Sequence, residues 1–565
     1  MTTLAAAIVD RLEAMGVERV FGYPGGRVIE VFEALADAPI EVVRPRDERQ
    51  AAVMAECHGR LTGRPGVLMG QGPWVASLGA MGLMEATLGS TPLVAITEAS
   101  ERGEFAPLAP YQQARGDYGG VDVPTMLGAV TKETWTPRRP TETLIALELA
   151  FKHAQSGRPG PTAVVLDGAA VREPVPEDTR PPTFAAGDRA STGTPRPSRG
   201  AVDRAAAVLR DAERPVVVAG NGVHAARAYD ELADVAEAIA APVVTSYLGK
   251  SAIPETHPLA GGVIGSYGHE AANRIVSEAD ALLVVGSRLN PMDVNWLADG
   301  FVRPDEQTIC QVDVEARNAG WVYPADVHLV GDAALALTDL RERLPDGELE
   351  GSRGVDVAGA ARAEAFDREA RDSDASPIRP ERAIAELDAA VDPEAVVLAD
   401  SGNNRFWLMH HLQTARPGTF RGSGGVAGMG WAAPAAVAAE LAGHDAVAVA
   451  GDGGFAMTAT AVETAREYGV APTWIVLDDD ALGTVREIDP AIPGVEFPGT
   501  DLAAVAAALG ADSRRVTDPG DLADAYEAAL GSDAPAVVVV TIDPAVNAGD
   551  ALQSSFYRET GGLHE

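Results

Sequence analysis

Only two cysteines, Cys57 and Cys310, occur in 565 residues, too few for a disulfide framework or a zinc site and placed in different predicted domains. Both read as buried small hydrophobes. Lysine is nearly missing as well, Lys132, Lys152 and Lys250 being the only three. No apolar run reaches the roughly 20 residues that a bilayer demands. The opening MTTLAAAIVDRLEAMGVERVFG has helical periodicity with charges inside it, unlike a signal peptide. The expectation is a soluble, cytoplasmic protein with no membrane partner. Positive charge is scarce too: 82 acidic residues against 45 basic ones leave a formal charge of −37, which disfavours nucleic acid and anionic membranes, since both require a positive face. Such an acidic, lysine-poor surface suits a high-salt cytoplasm, where screening shortens the reach of self-repulsion.

What is present is a chain too long for one core, with 46% hydrophobic residues, enough to fill two to four domains of ordinary size. Two stretches interrupt the alternation of apolar strands and amphipathic helices. Residues 173–198, rich in Pro, Thr and Ser, read as a linker, and 346–378, dense in charge, as a partly helical connector. The divisions expected are therefore 1–172, 199–345 and 379–548, with a tail at 549–565. Strand candidates in the first block are RVFGYP, IEVVRP, GVLMGQGP, PLVAIT and TAVVLDG; in the second PVVVAGNG, APVVTS, ADALLVVGSR and QTICQVDVE; in the third AVVLADSG, AVAVAGDGG, TWIVLDDD and APAVVVVTID. Short buried strands alternating with helices imply parallel sheets with right-handed crossovers, so the fold class is α/β, three doubly wound parallel-sheet domains. Ligands then bind beyond the carboxyl ends of the strands.

One such end carries the chemistry. GDGG at 451–454 makes a tight turn after AVAVA, exposing backbone N–H groups suited to phosphate. It also places Asp452 in that turn, where a carboxylate repels phosphate unless a divalent cation joins them. The next strand, TWIVL, ends in Asp478, Asp479 and Asp480, and Leu482-Gly483 closes the loop. Taken alone, either motif is a glycine turn or a solvated acidic loop. Paired across one strand-helix-strand unit, they read as a metal bridging protein to diphosphate.

This segment resembles the diphosphate-binding signature of thiamine diphosphate enzymes, GDG followed by Asn-Asn, and within them most resembles the acetolactate synthase large subunit. Nearly the whole chain shares the likeness: VFGYPGG at 20–26, GRPGPTAVVLDG at 157–168, GKSAIPETHPL and ADALLVVGSR in the middle, then DSGNNRFW and AGMGWAAPAAVAA at 427–439. The resemblance implies metal ligands at Asp452, at Asp479, 27 positions later, and at the carbonyl of Ala481. This chain has Asp478-Asp479 where Asn-Asn is usual; aspartate ligates Mg²⁺ through oxygen as well, so the metal role survives with extra negative charge. Gly25, Ser401, Gly402, Asn403, Gly451, Gly453, Gly454, Leu482 and Gly483 fall at cofactor-lining positions of the same pattern.

The resemblance also implies the chemistry. RDERQAAVMAE at 46–56 matches RHEQGAAFMAE, making Glu48 the carboxylate that acts on the pyrimidine N1′. Met429 is the wedge that holds the cofactor bent, and the carbonyl of Ala427 accepts from its 4′-amine. Gln112 matches a substrate-cleft glutamine. Glu48 would come from one subunit and Asp452 from another, so a homodimer is the minimum and a tetramer is common among such enzymes. Two segments depart from the family: GPWVAS at 72–77 puts Trp74 for glycine, and GTVREI puts Ile488 where a tryptophan shapes the acceptor pocket. The implied reaction decarboxylates a 2-oxo acid such as pyruvate and transfers the acyl carbanion to a second carbonyl. Alternatives left open are simple decarboxylation, electron transfer to FAD, and an inactive cofactor-binding regulatory relative. AGNGV alone is too weak to settle whether FAD binds. His410-His411 reads as a helix-surface pair.

The charge balance yields the first prediction. Moving the purified protein from molar to millimolar salt is expected to lower its melting temperature as unscreened carboxylates repel; an identical melting curve in both would refute the high-salt reading.

Overall fold

The computed structural model describes residues 2–99, 108, 111–116, 118–176, 190 and 192–555. Residues 177–189 and 191 of the expected linker and 556–565 of the expected tail lie outside the described residues. Three six-stranded sheets are present, and every pairing within them is parallel. The first runs, in spatial order, Glu41–Val43, Arg19–Gly22, Gly66–Met69, Leu93–Ala99, Pro161–Asp167 and Glu133–Trp135. The third runs Phe420–Gly422, Val396–Ala399, Ala446–Gly451, Thr473–Asp478, Ala536–Thr541 and Asp512–Val516. Counted from its own first strand, each has the order 2-1-3-4-6-5. The middle sheet, Val327–Val330, Thr308–Asp313, Ala281–Val285, Pro215–Ala219, Val243–Thr245 and Ala260–Val263, has the order 6-5-4-1-2-3 of a doubly wound nucleotide-binding fold.

The central strands are buried on both faces: LVAITEA, PTAVVLD, ALLVV and TWIVLD carry no exposed residue. Covering helices on each side leave no solvent face, and β-branched side chains pack well there. In sheets ordered 2-1-3-4-6-5 the chain reverses its winding between strands 1 and 3, and the loops leaving those strands flank a crevice. In the third sheet they are the Ser401–Asn403 and Gly451–Gly454 turns; in the first, the turns after Gly22 and Met69.

The three sheets fall into two compact units, Met1–Gly193 with Ser423–His444 and Thr458–Ala471, and Thr194–Gly422 with Asp445–Met457 and Pro472–Glu565. The first unit therefore contains two helices from late in the chain, Ala432–Leu441 and Ala461–Tyr468. The alanine-rich former packs closely on the helix Glu48–Thr62, close enough for Cys57 Sγ to reach the Ala435 carbonyl at 3.4 Å. In the latter, Glu463 and Glu467 hold Arg46 at 2.8 and 2.7 Å, and the Tyr468 hydroxyl accepts from Arg44 N at 2.8 Å.

The expected connector 346–378 contains the helices Arg353–Glu364 and Arg368–Arg371. Both cysteines are buried. Within the second unit, Lys250 is buried and its Nζ donates to both oxygens of Glu255 at 2.6 and 2.7 Å; Glu255 in turn accepts from the amide and hydroxyl of Thr414.

One expectation is overturned. His410 and His411 are not on a helix surface: they are 9% and 2% exposed, because the helix Asn403–His411 packs its last turn inward. His410 Nε2 donates to the Tyr267 carbonyl at 2.7 Å, its ring lies 4.6 Å from that of His269, and His411 stacks on Trp407. Burial pushes all three imidazoles down, His269 to about 4, His411 to about 3, and His410 well below its ordinary range. The unfolded chain takes up protons near pH 6.5 that the folded chain refuses, so stability present above that pH is lost as pH falls toward 3–4. The melting temperature is therefore expected to drop between pH 7 and pH 5. His411→Phe, which fills the same slot without a titrating nitrogen, should flatten that drop; an equally steep profile in the variant would disprove the assignment.

Candidate active site

Asp452 opens the helix Asp452–Thr458 directly after the strand Ala446–Gly451. It is 5% exposed, with Oδ1 accepting from Gly453 N at 2.6 Å and Oδ2 from Ala481 N at 3.2 Å. Burial, then the neighbouring Asp479, pushes its carboxyl up to about 8. One strand over, Asp478 ends Thr473–Asp478 with its Oδ2 on Arg515 at 2.5 Å. Its Oδ1 is buried and has no hydrogen-bond partner among the described residues. Asp479 Oδ2 accepts from Arg486 at 2.5 Å, and Arg486 also donates to the carbonyls of Asp479 and Pro544. Burial still lifts Asp479 to about 6 against the pull of that guanidinium.

Oxygens of Asp452, Asp478 and Asp480 lie within 4.8 Å of one another. Two buried carboxylates and an exposed third drawn this close fit a hard divalent cation taking oxygen ligands. The structure thus brings Asp478 and Asp480 to Asp452, while the expected ligand Asp479 turns to Arg486. Ala481 is buried beside them, its amide on Asp452. Leu482 N bonds the Val495 carbonyl at 2.9 Å. A Cβ on Gly483 would come 3.1 Å from Asp479 Oδ2 and 3.2 Å from Asn403 Nδ2, so a side chain there would crowd both.

On the adjacent strand end, Gly402 has φ +115°, a conformation that favours glycine, and caps the helix Asn403–His411. Ser401 N donates to the buried Asp400 at 2.7 Å. Asn403 is clamped by Glu487 at 2.6 Å and Thr484 at 2.7 Å. Ser401, Gly402, Asn403, Gly451, Asp452, Gly453, Gly454, Asp479, Ala481, Leu482 and Gly483 all belong to the second compact unit.

The remaining expected residues belong to the first. Asp47 caps the helix Glu48–Thr62, its side chain accepting from Gln50 N at 2.8 Å, which sets Glu48 in the first turn. Glu48 is 9% exposed and burial raises its carboxyl above the ordinary range. A Cβ on Gly70 would touch its Cγ at 3.7 Å. Gln71 donates its side-chain amide to Gln112, which has φ +61°, and a Cβ on Gly25 would sit 3.3 Å from Gln71 Oε1. Ala427 also has positive φ, +53°, and Met429 follows it on the same turn. The substituted Trp74 and Ile488 are 44% and 54% exposed.

Arg486 and Arg515 were missed by sequence reasoning. Arg486 lies inside GTVREI, where departure from the family pattern was visible, but the change was assigned to the acceptor pocket rather than to Asp479. Arg515 sits on the edge strand Asp512–Val516 and has no local signal.

Comparison with known proteins follows the sheets. Residues 2–117 match the thiamine pyrophosphate enzyme N-terminal TPP binding domain, 202–340 the central domain of these enzymes, and 400–540 their C-terminal TPP binding domain. This chain is similar to a probable acetolactate synthase large subunit of Methanocaldococcus jannaschii, 30% identical over 96% of this chain and 92% of the relative. It is also similar to the acetolactate synthase isozyme 2 large subunit of Escherichia coli K12, 29% identical over 96% and 95%, and to an acetolactate synthase of Mycobacterium bovis, 29% identical over 95% and 87%.

The carboxylate arrangement predicts a pair of opposite effects on Mn²⁺ binding, followed by electron paramagnetic resonance of the free ion. Asp452→Ala should weaken binding by roughly 100-fold, whereas Arg486→Ala, which leaves Asp479 uncompensated, should tighten it about three- to tenfold at low salt. Weaker binding in Arg486→Ala would show the arginine supporting the ion instead of competing with it.

Proposed function

Because the chain belongs to the thiamine pyrophosphate enzyme family, we propose that it is a thiamine diphosphate- and Mg²⁺-dependent carboligase of the acetolactate synthase type, decarboxylating a 2-oxo acid such as pyruvate and joining the acyl unit to a second carbonyl. The observation that carries this reading is the carboxylate cluster of buried Asp452 and Asp478 with exposed Asp480 at neighbouring strand ends of the third sheet, where one Asp478 oxygen has no partner among the described residues. Asp452 and its neighbours would hold the metal and Gly402–Asn403 and Gly451–Gly454 the diphosphate. Asp479 and the Ala481 carbonyl are the ligands that family register favours; Asp478 is the one that the geometry favours.

When bound, the cofactor supplies a nucleophilic thiazolium carbon and an electron sink. Glu48 would hold a proton for the pyrimidine N1′, a task served by a carboxyl whose burial keeps its proton longer than an exposed glutamate would. The Ala427 carbonyl would accept from the cofactor's 4′-amine, and Met429 would pack against its rings. Gln112, fixed by Gln71, orients the 2-oxo acid. Ile488 in place of a tryptophan removes a wide contact surface from the acceptor side, so acceptor preference should differ from that of acetolactate synthases that keep the ring.

The proposed divisions are 1–172, 199–345 and 379–548, in a homodimer that forms a higher oligomer, with Glu48 and Asp452 contributed by different subunits. A cytoplasmic location agrees with the finding that no helix among the described residues is long and apolar enough to cross a membrane. FAD in the middle domain agrees with its strand order, and a yellow preparation would reveal it.

Purified protein supplied with pyruvate, thiamine diphosphate and Mg²⁺ in high salt should release CO₂ and form acetolactate. Acetaldehyde instead would favour the simple decarboxylase, and no turnover of a panel of 2-oxo acids would favour an inactive relative. Glu48→Gln is expected to bind the cofactor but lose deuterium exchange at its C2 by a factor of roughly 100 or more; unchanged exchange would remove Glu48 from the mechanism.

A further inference from the structure

The turn that carries Ala427 and Met429 is held by a carboxylate that no motif marks. Glu85, on the helix Ala80–Gly89, is 1% exposed. Its Oε1 accepts from Gly424 N at 3.1 Å and Gly425 N at 2.9 Å, its Oε2 from Val426 N at 2.9 Å and Ala427 N at 3.3 Å. Four consecutive backbone donors converging on one point form an anion-binding nest, and here the anion is the protein's own side chain.

The carboxylate is fixed from behind. Arg60 Nη2 donates to Glu85 at 2.9 Å and also reaches Glu56 at 2.6 Å. Glu56 accepts from Thr91 Oγ1 at 2.8 Å and from Trp431 Nε1 at 3.0 Å, and the Arg60 guanidinium lies over the Trp431 ring at 5.2 Å. The chain is therefore pinned on both sides of Met429, at 424–427 by Glu85 and at 431 by Glu56. Packing repeats the message: a Cβ on Gly425 would meet Leu88 Cβ at 2.9 Å and the Glu85 carbonyl at 3.0 Å, and one on Gly428 would meet Met81 Cε at 2.7 Å. Ala427 keeps a left-handed φ of +53° without being glycine, a conformation that persists where surroundings over-determine it. Glu56 and Arg60 both lie on the helix that begins at Glu48. Burial alone would push Glu85 up, but Arg60 and the nest amides outweigh it and hold the carboxyl below its ordinary range, ionised and able to accept from all four amides.

We infer that Glu85 is a positioning residue for cofactor activation: its carboxylate, clamped by Arg60, sets the 424–427 turn so that the Ala427 carbonyl and Met429 meet the aminopyrimidine. This rests on the proposed thiamine diphosphate reading. Removing the carboxylate frees four amides to seek other partners, and the turn relaxes without loss of the surrounding sheet.

The test compares wild type, Glu85→Ala and Gly425→Ala by melting temperature, thiamine diphosphate binding and C2 deuterium exchange. Wild type must bind and exchange; if it does neither, the functional reading fails before Glu85 is judged. Given that it does, Glu85→Ala should slow exchange about 30-fold or more, measured well below its melting temperature, because the acceptor and wedge lose their register. Formate, which fits the emptied nest beside Arg60, should restore part of that rate, neutral formamide should not, and neither should change wild type. Gly425→Ala displaces the same turn without altering charge, so it should slow exchange and resist formate; it also serves if Glu85→Ala does not fold. Exchange at the wild-type rate in a folded Glu85→Ala or in Gly425→Ala, or equal rescue by formamide, would overturn the assignment.

Discussion

Buried negative charge must be met by something, and the ways this chain meets it organise the molecule. At Glu85 the answer is four backbone amides and Arg60; at Glu56 it is the same arginine with Thr91 and Trp431. At Asp478 and Asp479 it is Arg515 and Arg486. Asp452 meets two amides and no arginine among the described residues, and its carboxyl is driven up to about 8. That contrast singles out Asp452 as the carboxylate suited to a cation, since in low dielectric an uncompensated charge either protonates or takes a counter-ion.

The two sheets of order 2-1-3-4-6-5 explain why, within each unit, expected site residues far apart in sequence gather at strand ends. Each sheet reverses its winding at the same place, and each presents glycine-bearing turns there: Gly25 and Gly70 in one, Gly402 and Gly451 in the other. Glycine is needed where φ is positive, as at Gly402, or where backbone approaches closely, as at Gly425 over the helix Ala80–Gly89. These turns join rigid strands to rigid helices, so the groups they carry are held by the sheets rather than by the loops themselves.

Thirteen strand candidates were legible in the sequence because apolar, β-branched runs mark strands, twelve of them interior to their sheets and the thirteenth the edge strand Glu41–Val43. The five strands that were not legible, Glu133–Trp135, Ala260–Val263, Val327–Val330, Phe420–Gly422 and Asp512–Val516, are all at sheet edges. An edge strand needs only one neighbour, so sequences such as ETW, AGGV and DSRRV serve without periodicity. The same limit hid Arg515. The GDGG and DDD motifs located the carboxylate cluster, yet which aspartate faces which partner depended on Arg486 and Arg515, whose directions no local pattern encodes. Glu85 was invisible for a related reason, as its partners are main-chain amides more than 330 positions later. The polarity of the histidine pair at 410–411 suggested a surface, but Tyr267, His269 and Trp407 cover that turn.

Arginine keeps its proton across any pH a cell visits, so Arg515 beside Asp478 and Arg486 beside Asp479 are fixed positive charges built into the strand end. Exposed carboxylates on the rest of the surface feel every change of ionic strength, whereas largely buried pairs are screened far less. A cell whose internal salt rises and falls would alter the halo around this molecule while leaving the field at this strand end nearly constant.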